Sequence, residues 1–269
     1  AYNEGVTVAA SVRSLLGLQY PNLEVVVVND GSSDETLETL ERDFDLVSIK
    51  PIYRHRIDTA SVRGIYRSRE HPGLVVVDKA NGGKADALNA GLNVARGEFV
   101  CAIDADTIIE SDALLRMVRP FLAWPGVIAA GGTIRVANGS QVAGGRVVAE
   151  HAPHRALPAF QAVEYLRAFL TGRLGWNRLG GNLVISGAFG LFRREATIAA
   201  GGYEQDTVGE DMELVARMRR EARLTGKPAR VSSSPIPLPG RRCRSRCARS
   251  AASATAGTAA SPTCSGATA

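Results

Sequence analysis

Two aspartates separated by one alanine follow an apolar run and have the spacing of a cation-binding pair. The run is EFVCAIDAD, residues 98–106, and the carboxylates belong to Asp104 and Asp106. Carboxylates at positions i and i+2 can reach one hard cation together, and Mg²⁺ or Mn²⁺ prefers such oxygen ligands and shares them with a diphosphate. Taken alone, the pattern also fits a turn with a capping aspartate, so its meaning depends on the residues around it.

Two other polar clusters follow or precede apolar runs in a similar way. VVVNDGSSDET places Asp30 and Asp34 around a Gly-Ser turn, where a carboxylate can accept hydrogen bonds from a base N–H or from ribose hydroxyls. NGGKADALN places two glycines before Lys84 at the predicted start of a helix, where backbone N–H groups and an ammonium can hold a phosphate. The second segment also fits a plain loop with a glycine turn.

Strands that alternate with helices are predicted to position these clusters. Apolar, β-branched runs predict strands at residues 23–30, 74–80, 98–106 and 127–136. Amphipathic spacing predicts a helix near the start of the chain and one after each of the first three strands, and Ser32 and Glu35 have the spacing of a capping box. The alternation indicates an α/β fold with a mostly parallel sheet, in which ligands bind at the carboxyl ends of the strands. The polar clusters lie at those ends, so we expect them to form one site.

The composition excludes several functions. The chain of 269 residues has a formal net charge of +5, but the surplus comes from arginines after Val231, and the remainder holds equal numbers of basic and acidic residues. A basic groove for nucleic acid is therefore not predicted. No run reaches the roughly 18 apolar residues that a membrane-spanning helix needs. No GxGxxG follows the first strand, which argues against a dinucleotide-dependent oxidoreductase.

The two ends of the sequence and one later segment have their own patterns. The first residues predict a turn and then a helix without a strand before them, so we expect a first strand to be missing. The last, RRCRSRCARSAASATAGTAASPTCSGATA, lacks acidic and aromatic residues and is expected to be disordered. We therefore predict a folded domain at residues 1–230 and a non-native tail at 231–269. Within the predicted domain, FQAVEYLRAFLTGRLGW, residues 160–176, predicts an amphipathic helix that fits either the core or a membrane interface.

Six motifs together resemble a known family. AYNE, VVVNDGSSDET, KANGGKADALNAGL, DADT, SGAFGLFRR and GEDMEL, in this order and at this spacing, resemble the family 2 glycosyltransferases over residues 1 to about 230. The likeness is greatest to the membrane-bound, often processive branch with the poly-N-acetylglucosamine, hyaluronan, chitin and cellulose synthases. It implies a GT-A fold, which is Rossmann-like and has a mostly parallel central sheet with helices on both faces. It also implies a UDP-sugar donor, Mg²⁺ or Mn²⁺, and inversion at the anomeric carbon.

The resemblance assigns the donor and metal sites to positions that match the family's motifs. Donor binding is expected at Tyr2, Glu4, Asp30, Asp34, Lys84 and Asp104. Asp104 and Asp106 would hold the metal and the diphosphate.

The resemblance also assigns a general base and an acceptor site. The base would be Asp211, with Glu210 beside it in GED, where many relatives have TED. Helix capping is the alternative for Asp211, because the helix dipole favours anions in the first turn. Ser186, Gly187 and Phe189 resemble the loop that shapes the acceptor site.

One motif of this branch, QxxRW, is expected after the base but does not occur in the chain as written. When the codons from residue 231 onward are read in a shifted frame, they permit PDP, WTE and QRNRW in the family's order. We therefore interpret the tail as the wrong reading frame of a normal gene.

These features predict an inverting, metal-dependent transferase that extends a polysaccharide or a lipid-linked acceptor from UDP-N-acetylglucosamine or UDP-glucose. The full-length protein would lie at the cytoplasmic face of the plasma membrane, anchored by flanking helices that this sequence lacks. Two alternatives stay open. One is the transfer of a single sugar to a lipid or protein acceptor, and the other is a truncated fragment that binds nucleotide without turnover.

Overall fold

The structure of the protein is a computed structural model. It describes residues 1–50, 52–104, 109–133, 141–143, 146–149, 159–160, 163–164, 167, 185, 189–205, 207 and 209–237. Several predictions fall outside these ranges, namely those for Asp106, Ser186, Gly187, most of the helix predicted from residue 160, and the tail beyond residue 237.

Helices and strands alternate along much of the chain, which confirms the predicted α/β class. The described helices are α1 (Val8–Leu16), α2 (Thr36–Phe44), α3 (Lys84–Val94), α4 (Ala113–Ala123), α5 (Arg194–Ala199) and α6 (Glu210–Leu224). The described strands are β1 (Val25–Asp30), β2 (Leu46–Ile49), β3 (Val62–Ser68), β4 (Leu74–Lys79), β5 (Phe99–Ile103), β6 (Val127–Thr133), β7 (Gln141–Ala143), β8 (Arg146–Ala149), β9 (Phe189–Arg193) and β10 (Arg230–Pro237). Within the described residues, no helix has the length and apolar character needed to cross a membrane.

The first sheet has the strand order β1-β4-β3-β2. β1 runs parallel to β4, so that Val25 lies opposite Leu74 and Asp30 lies opposite Lys79. β3 and β2 extend the sheet in antiparallel pairings. Only residues 69–73 join β3 to β4, and a parallel pairing would need a crossover of a dozen or more residues. The short connection therefore makes this part of the sheet antiparallel.

The second sheet has the strand order β10-β6-β9-β5. β10 runs parallel to β6, and β9 lies antiparallel between β6 and β5. β7 and β8 pair only with each other among the described strands. The described sheets are thus mixed, whereas the sequence predicted a mostly parallel sheet, because β2, β3 and β9 were not foreseen. The predicted domain boundary at residue 230 falls on the first residue of β10, which continues along β6 to Pro237.

The core of the first sheet has two sides, and β4 contributes to both. All six residues of β4 are buried, as the β-branched run predicts. Leu74 and Val76 pack with residues of α1 and α2, whereas Val75 and Val77 pack with Val94 at the end of α3. Because successive residues of a strand point to opposite faces, helices cover both faces of this sheet, as predicted.

The start of α2 differs from the prediction. α2 begins at Thr36, and the capping box predicted at Ser32 and Glu35 is wrong. The hydroxyl of Ser32 instead accepts the backbone N–H of Asn3 at 3.0 Å, and Glu35 makes no side-chain cap. The carboxylate of Asp34 accepts both the N–H and the hydroxyl of Thr36, at 3.0 and 2.5 Å. Ser32 is therefore used in a contact with the first turn of the chain, and Asp34 organises the start of the helix.

A large cavity lies between the two sheets. Its volume is about 1530 Å³, and its lining includes residues 25–28 of β1 and residues 99–103 of β5, which are edge strands of their sheets. Apolar side chains of α1 and α3 line it as well. At one end, the amino group of Ala1 donates to the carbonyl of Val28 at 2.7 Å, and the N–H of Asp30 donates to the carbonyl of Ala1 at 2.9 Å. These two bonds have the pattern of a residue in a parallel strand opposite Asn29.

We expect this cavity to accept one further strand. Fusion of a five-residue Val/Ile segment in front of Ala1 should raise the melting temperature, because each buried aliphatic side chain contributes about 1.5–3 kcal/mol and 1 kcal/mol corresponds to roughly 2–4 °C in a chain of this size. Thermal unfolding and amide exchange measure the effect. A Gly/Ser segment of equal length is the control. Equal melting temperatures for the two fusions, or slower exchange in β1 without slower exchange in β5, would contradict the expectation.

Candidate active site

The first turn of the chain is hydrogen-bonded to the turn that follows the carboxyl end of β1. The backbone N–H of Glu4 donates to the hydroxyl of Thr36 at 2.9 Å, and the N–H of Gly5 donates to the carboxylate of Asp34 at 3.0 Å. The predicted donor residues Glu4 and Asp34 therefore lie in two turns that are hydrogen-bonded to each other, and the carboxylate of Asp34 accepts backbone N–H groups. The side chain of Tyr2, in the same turn, is 55 % exposed and lines the cavity.

Asp30 anchors the glycine-rich loop that precedes α3. Its buried carboxylate accepts the backbone N–H groups of Gly82 and Gly83 at 3.0 and 2.8 Å. It also pairs with the ammonium of Lys79 at 2.6 Å. Lys79 is fully buried and makes a second ion pair with Asp86, at 2.5 Å, in the first turn of α3. The structure thus gives Asp30 a role in holding the loop, and its predicted contact with a nucleoside stays a prediction.

Lys84 connects the end of β5 to the start of α6. Its ammonium lies 2.7 Å from the carboxylate of Glu210 and 3.3 Å from that of Asp104. Burial works against the charge on Lys84, but the hydrogen bond to Glu210 and the charges of both carboxylates outweigh it and raise the pKa of Lys84. Burial also opposes the charge on Glu210, and the hydrogen bond from Lys84 prevails and lowers its pKa. Three predicted site residues from different parts of the chain therefore form one ionised cluster.

Asp211 lies beside this cluster in the first turn of α6 and has an unusual pKa. Burial is the main cause, and the negative charge of Glu210 adds to it, so that the pKa of Asp211 rises from 3.8 to about 6. The positive charge of Lys84 opposes the rise. A carboxylate with a pKa near neutrality is a better proton acceptor than an ordinary aspartate, and such shifts are frequent at catalytic positions.

The cavity between the sheets opens among these residues. Five of the predicted donor-binding residues line it, namely Tyr2, Glu4, Asp30, Lys84 and Asp104. β1 and β5 end at the same side of the cavity. The residues predicted to bind a nucleoside and those predicted to bind a phosphate therefore lie close together, as the α/β topology predicts.

The described carboxylate oxygens around Lys84 are of the kind that binds hard metal ions. Carboxylate oxygens of Asp104 and Glu210 lie close to the same ammonium, and such oxygens suit Mg²⁺ or Mn²⁺. Among the described residues, no group of three or more His, Cys, Asp or Glu side chains is placed to hold a metal ion. Asp106, the second carboxylate of the predicted pair, lies outside the described residues.

The predicted acceptor loop is described at one position only. Phe189 is the first residue of β9, pairs with Ile103 at the end of β5, and is 2 % exposed. It packs in a hydrophobic cluster with residues of α4, so the structure gives it a role in the core. Its contact with an acceptor stays a prediction.

Sequence reasoning noted the polar segment from Lys79 to Lys84 but assigned no role to several polar residues that support the site. Lys79, Asp86 and Asn89 are all buried, and each makes hydrogen bonds or ion pairs with loops that border the site. Asn89 donates to the carbonyl of Tyr203 at 2.8 Å and accepts its N–H at 2.7 Å. One feature of the sequence could have indicated such residues, namely a charged or amide side chain at a position where a helix presents apolar residues to the core. Asn89 and Asn93 are examples, because they are one helical turn apart on the inward face of α3.

The fold and the ionised cluster define a glycosyltransferase domain. Residues 1–199 match the family described as glycosyl transferase family 2, and the chain belongs to this family. The chain is 31 % identical over 212 residues to a poly-beta-1,6-N-acetyl-D-glucosamine synthase from Staphylococcus epidermidis. The matched region covers 78 % of this chain and 42 % of the relative. The chain thus spans less than half the length of that relative.

Two solved structures have a similar fold. A mannosyltransferase from Pyrobaculum calidifontis, in complex with GDP-Man and Mn²⁺, has a TM-score of 0.60 at 21 % identity, and the match covers 91 % of this chain and 55 % of that one. Glucosyl-3-phosphoglycerate synthase from Mycobacterium tuberculosis, in complex with uridine diphosphate, has a TM-score of 0.50 at 17 % identity and covers 91 % of this chain and 70 % of that one. These likenesses agree with the predicted GT-A fold.

The raised pKa of Asp211 predicts a gain in stability when its charge is removed. A folded-state pKa above the unfolded value means that stability falls as the pH rises from about 3.8 through about 6, so the cost of the carboxylate is present above that window. We expect Asp211→Asn to raise the melting temperature at pH 8 and to leave it nearly unchanged at pH 3.5.

Asp43→Asn is the matched control for this prediction. Hydrogen bonds from Arg13 and then Arg42 lower the pKa of Asp43, so this partly buried carboxylate stabilises the fold slightly above its pKa. At pH 8 the control should show an unchanged or lower melting temperature. A decrease for Asp211→Asn at pH 8 would show that the carboxylate is not held at a cost.

Proposed function

We propose that this domain transfers a sugar from a UDP-sugar to the hydroxyl of a growing polysaccharide, with inversion at the anomeric carbon. The observation that carries the proposal is the position of Asp211, a carboxylate with a raised pKa, next to the cluster that Lys84 forms with Glu210 and Asp104. A carboxylate suited to accept a proton thus lies next to an ammonium that lines the cavity and that we assign to phosphate binding. Membership in glycosyl transferase family 2 supports the same reaction class.

In this proposal, the reaction is a single displacement. Asp211 takes the proton of the acceptor hydroxyl while the acceptor oxygen forms a bond to the anomeric carbon. The bond from that carbon to the diphosphate oxygen breaks, and UDP leaves with the electron pair. Attack from the face opposite the leaving group inverts the configuration.

We assign the donor to the cavity and the diphosphate to its ionised end. Tyr2 and Glu4 would contact the nucleoside, and Lys84 would bind the diphosphate by exchanging its carboxylate partners for phosphate oxygens. Asp104 and Asp106 would hold Mg²⁺ or Mn²⁺, which when bound neutralises charge on the diphosphate. Complexes of the two similar folds with GDP-Man and Mn²⁺ and with uridine diphosphate support a nucleotide sugar and a divalent cation.

The relatives support a choice of donor and acceptor. The similarity to poly-beta-1,6-N-acetyl-D-glucosamine synthase supports UDP-N-acetylglucosamine as donor, with UDP-glucose as the second candidate, and a polysaccharide chain as acceptor. We propose that the full-length protein works at the cytoplasmic face of the plasma membrane. Transfer of a single sugar, favoured by the glucosyl-3-phosphoglycerate synthase fold, is the second candidate function.

Asp211→Asn in the full-length enzyme tests the general base. We expect kcat to fall by about 10²–10⁴-fold, the usual contribution of general acid–base catalysis, while binding of UDP with Mn²⁺ is unchanged. For the wild type, kcat should rise with pH through about 6, because only the ionised form of Asp211 accepts a proton. Release of UDP and titration calorimetry provide the two readouts. Transfer at a near wild-type rate by the variant would refute the assignment.

The nucleotide sequence tests the proposed frame of the tail. We expect one base to be missing or added near the codons for Arg230 to Ser234, with the alternative frame running on through QRNRW. Sequencing of the gene through its end is the measurement. Stop codons in that frame, or the lack of QxxRW, would show that the frame as written is the true one.

A further inference from the structure

A glycine turn between α5 and α6 is attached to α3 by one buried side chain. The turn comprises residues 201–203, and Asn89 of α3 pairs with both backbone groups of Tyr203, at 2.8 and 2.7 Å. Asn89 is 4 % exposed, so water does not compete for these bonds. The amide side chain therefore acts on the turn as a neighbouring peptide group would, and it fixes the turn against α3.

The other side of the same turn is attached to α6 by Arg217. Its guanidinium donates to the carbonyl of Ala200 at 2.7 Å and to that of Gly202 at 2.8 Å. Glu213, one helical turn earlier in α6, accepts from Nε of Arg217 at 2.8 Å and holds the guanidinium in this orientation. A planar guanidinium can make these bonds at the same time, whereas an ammonium cannot reproduce the fork.

The backbone of the turn allows no side chain at its centre. Gly201 and Gly202 have φ values of +91° and +76°, which side chains disfavour. A Cβ atom at Gly202 would lie 2.4 Å from Oδ1 of Asn89 and 2.6 Å from Cδ1 of Ile57. The turn, Asn89 and Arg217 are thus packed as one unit that joins two helices.

The two helices joined in this way carry the reacting parts of the proposed site. Lys84 begins α3, five residues before Asn89, and Asp211 lies in α6, six residues before Arg217, which are distances of roughly 7 and 9 Å along the helices. The Tyr203 ring is buried, and the charge of Asp211 reaches its hydroxyl: burial first, then that charge, raises the pKa of Tyr203. Tyr203 also packs in one hydrophobic cluster with Leu214 and Val215, so the turn contacts the helix that carries the proposed base.

We propose that Asn89 and Arg217 are positioning residues that act through the turn at 201–203 to hold Asp211 in line with the donor bound at Lys84. The proposal rests on the proposed function, because it takes Asp211 as the base. Neither residue touches the substrate in this scheme. Their effect should appear in the chemical step, since a displacement of about 1 Å between reacting groups costs on the order of 10²-fold in rate.

Asn89→Ala and Asn93→Ala form a matched pair of variants in the full-length enzyme. Asn93 lies one turn further along α3, is equally buried, and pairs in the same way with both backbone groups of Ile57, at 3.1 and 2.8 Å. Each substitution removes such a bond pair from the same helix, and Asn93→Ala also removes the bond that Asn93 accepts from the N–H of Arg56 at 3.0 Å, so the control is at least as disruptive to the fold. We expect similar losses in melting temperature, but a decrease of about 10–100-fold in kcat only for Asn89→Ala, with the KM for the donor changed less than about threefold.

A double-mutant cycle with Arg217→Lys tests whether both residues act through the turn. Arg217 is partly exposed, so we expect Arg217→Lys to fold. If Asn89→Ala does not fold, the kcat of Arg217→Lys alone tests the positioning role. We expect Arg217→Lys to lower kcat as well, and the double variant to lose little more than the worse single variant. Equal decreases in kcat for Asn89→Ala and Asn93→Ala, additive losses in the cycle, or an effect confined to KM would each overturn the proposal.

The two proposals fail in different ways. If Asp211→Asn stays active, the assignment of the base is wrong whatever the Asn89 variants do. If Asp211→Asn is inactive and Asn89→Ala keeps its kcat, only the positioning role is wrong. UDP binding, measured for every variant by titration calorimetry, shows that the donor site is intact.

Discussion

The buried ammonium of Lys79 holds together the part of the structure on which the candidate site depends. Lys79 ends β4, and its charge is shared between Asp30 at the end of β1 and Asp86 in α3. Asp30 then holds the glycine loop, and Asp86 accepts the N–H of Ala60 at 3.0 Å. Removing one member of such a buried set leaves an uncompensated charge and typically costs 3–5 kcal/mol. The position of Lys84 follows from this network, because the loop determines where α3 begins.

The charges at the mouth of the cavity differ from the buried set in one respect. Lys79 has all its partners inside the fold, whereas the side chain of Lys84 is 53 % exposed and holds two carboxylates at the surface of the cavity. Its partners Asp104 and Glu210 are 19 % and 22 % exposed, so this cluster is more open to solvent than the set around Lys79. The protein therefore combines a buried ionic support with a partly exposed ionic cluster beside the cavity.

The sequence predicted the elements with strong periodicity and missed those without it. β1, β4 and β5 were predicted from their continuous apolar runs, although only β4 is buried at every residue. α3 was predicted because its apolar residues recur at helical spacing. β3, which lies between β4 and β2, was missed because its sequence, VRGIYRS, mixes charges and glycine with apolar residues. β9 follows a run of small residues that resembled a loop, and its antiparallel placement depends on contacts distant in sequence.

The site shows the same division between local and distant information. The ionised cluster around Lys84 was predicted in its members, since strand ends and a helix start can be read from local patterns. Its supports were not predicted, because Asn89 meets Tyr203 across 114 positions of the chain and no local pattern reports that contact. Asp30 shows the converse case, since its position at a strand end was foreseen but the hydrogen bonds of its carboxylate to the backbone of the glycine loop were not.

The cavity between β1 and β5 also separates the two strand ends that carry Asp30 and Asp104. Asp30 ends β1 and Asp104 follows β5, and no described hydrogen bond joins these two strands into one ladder. A strand between them would place them two strand spacings apart, about 9.6 Å. The distance between the two strand ends would then be a backbone dimension, fixed by peptide geometry and insensitive to the side chains that line the cavity.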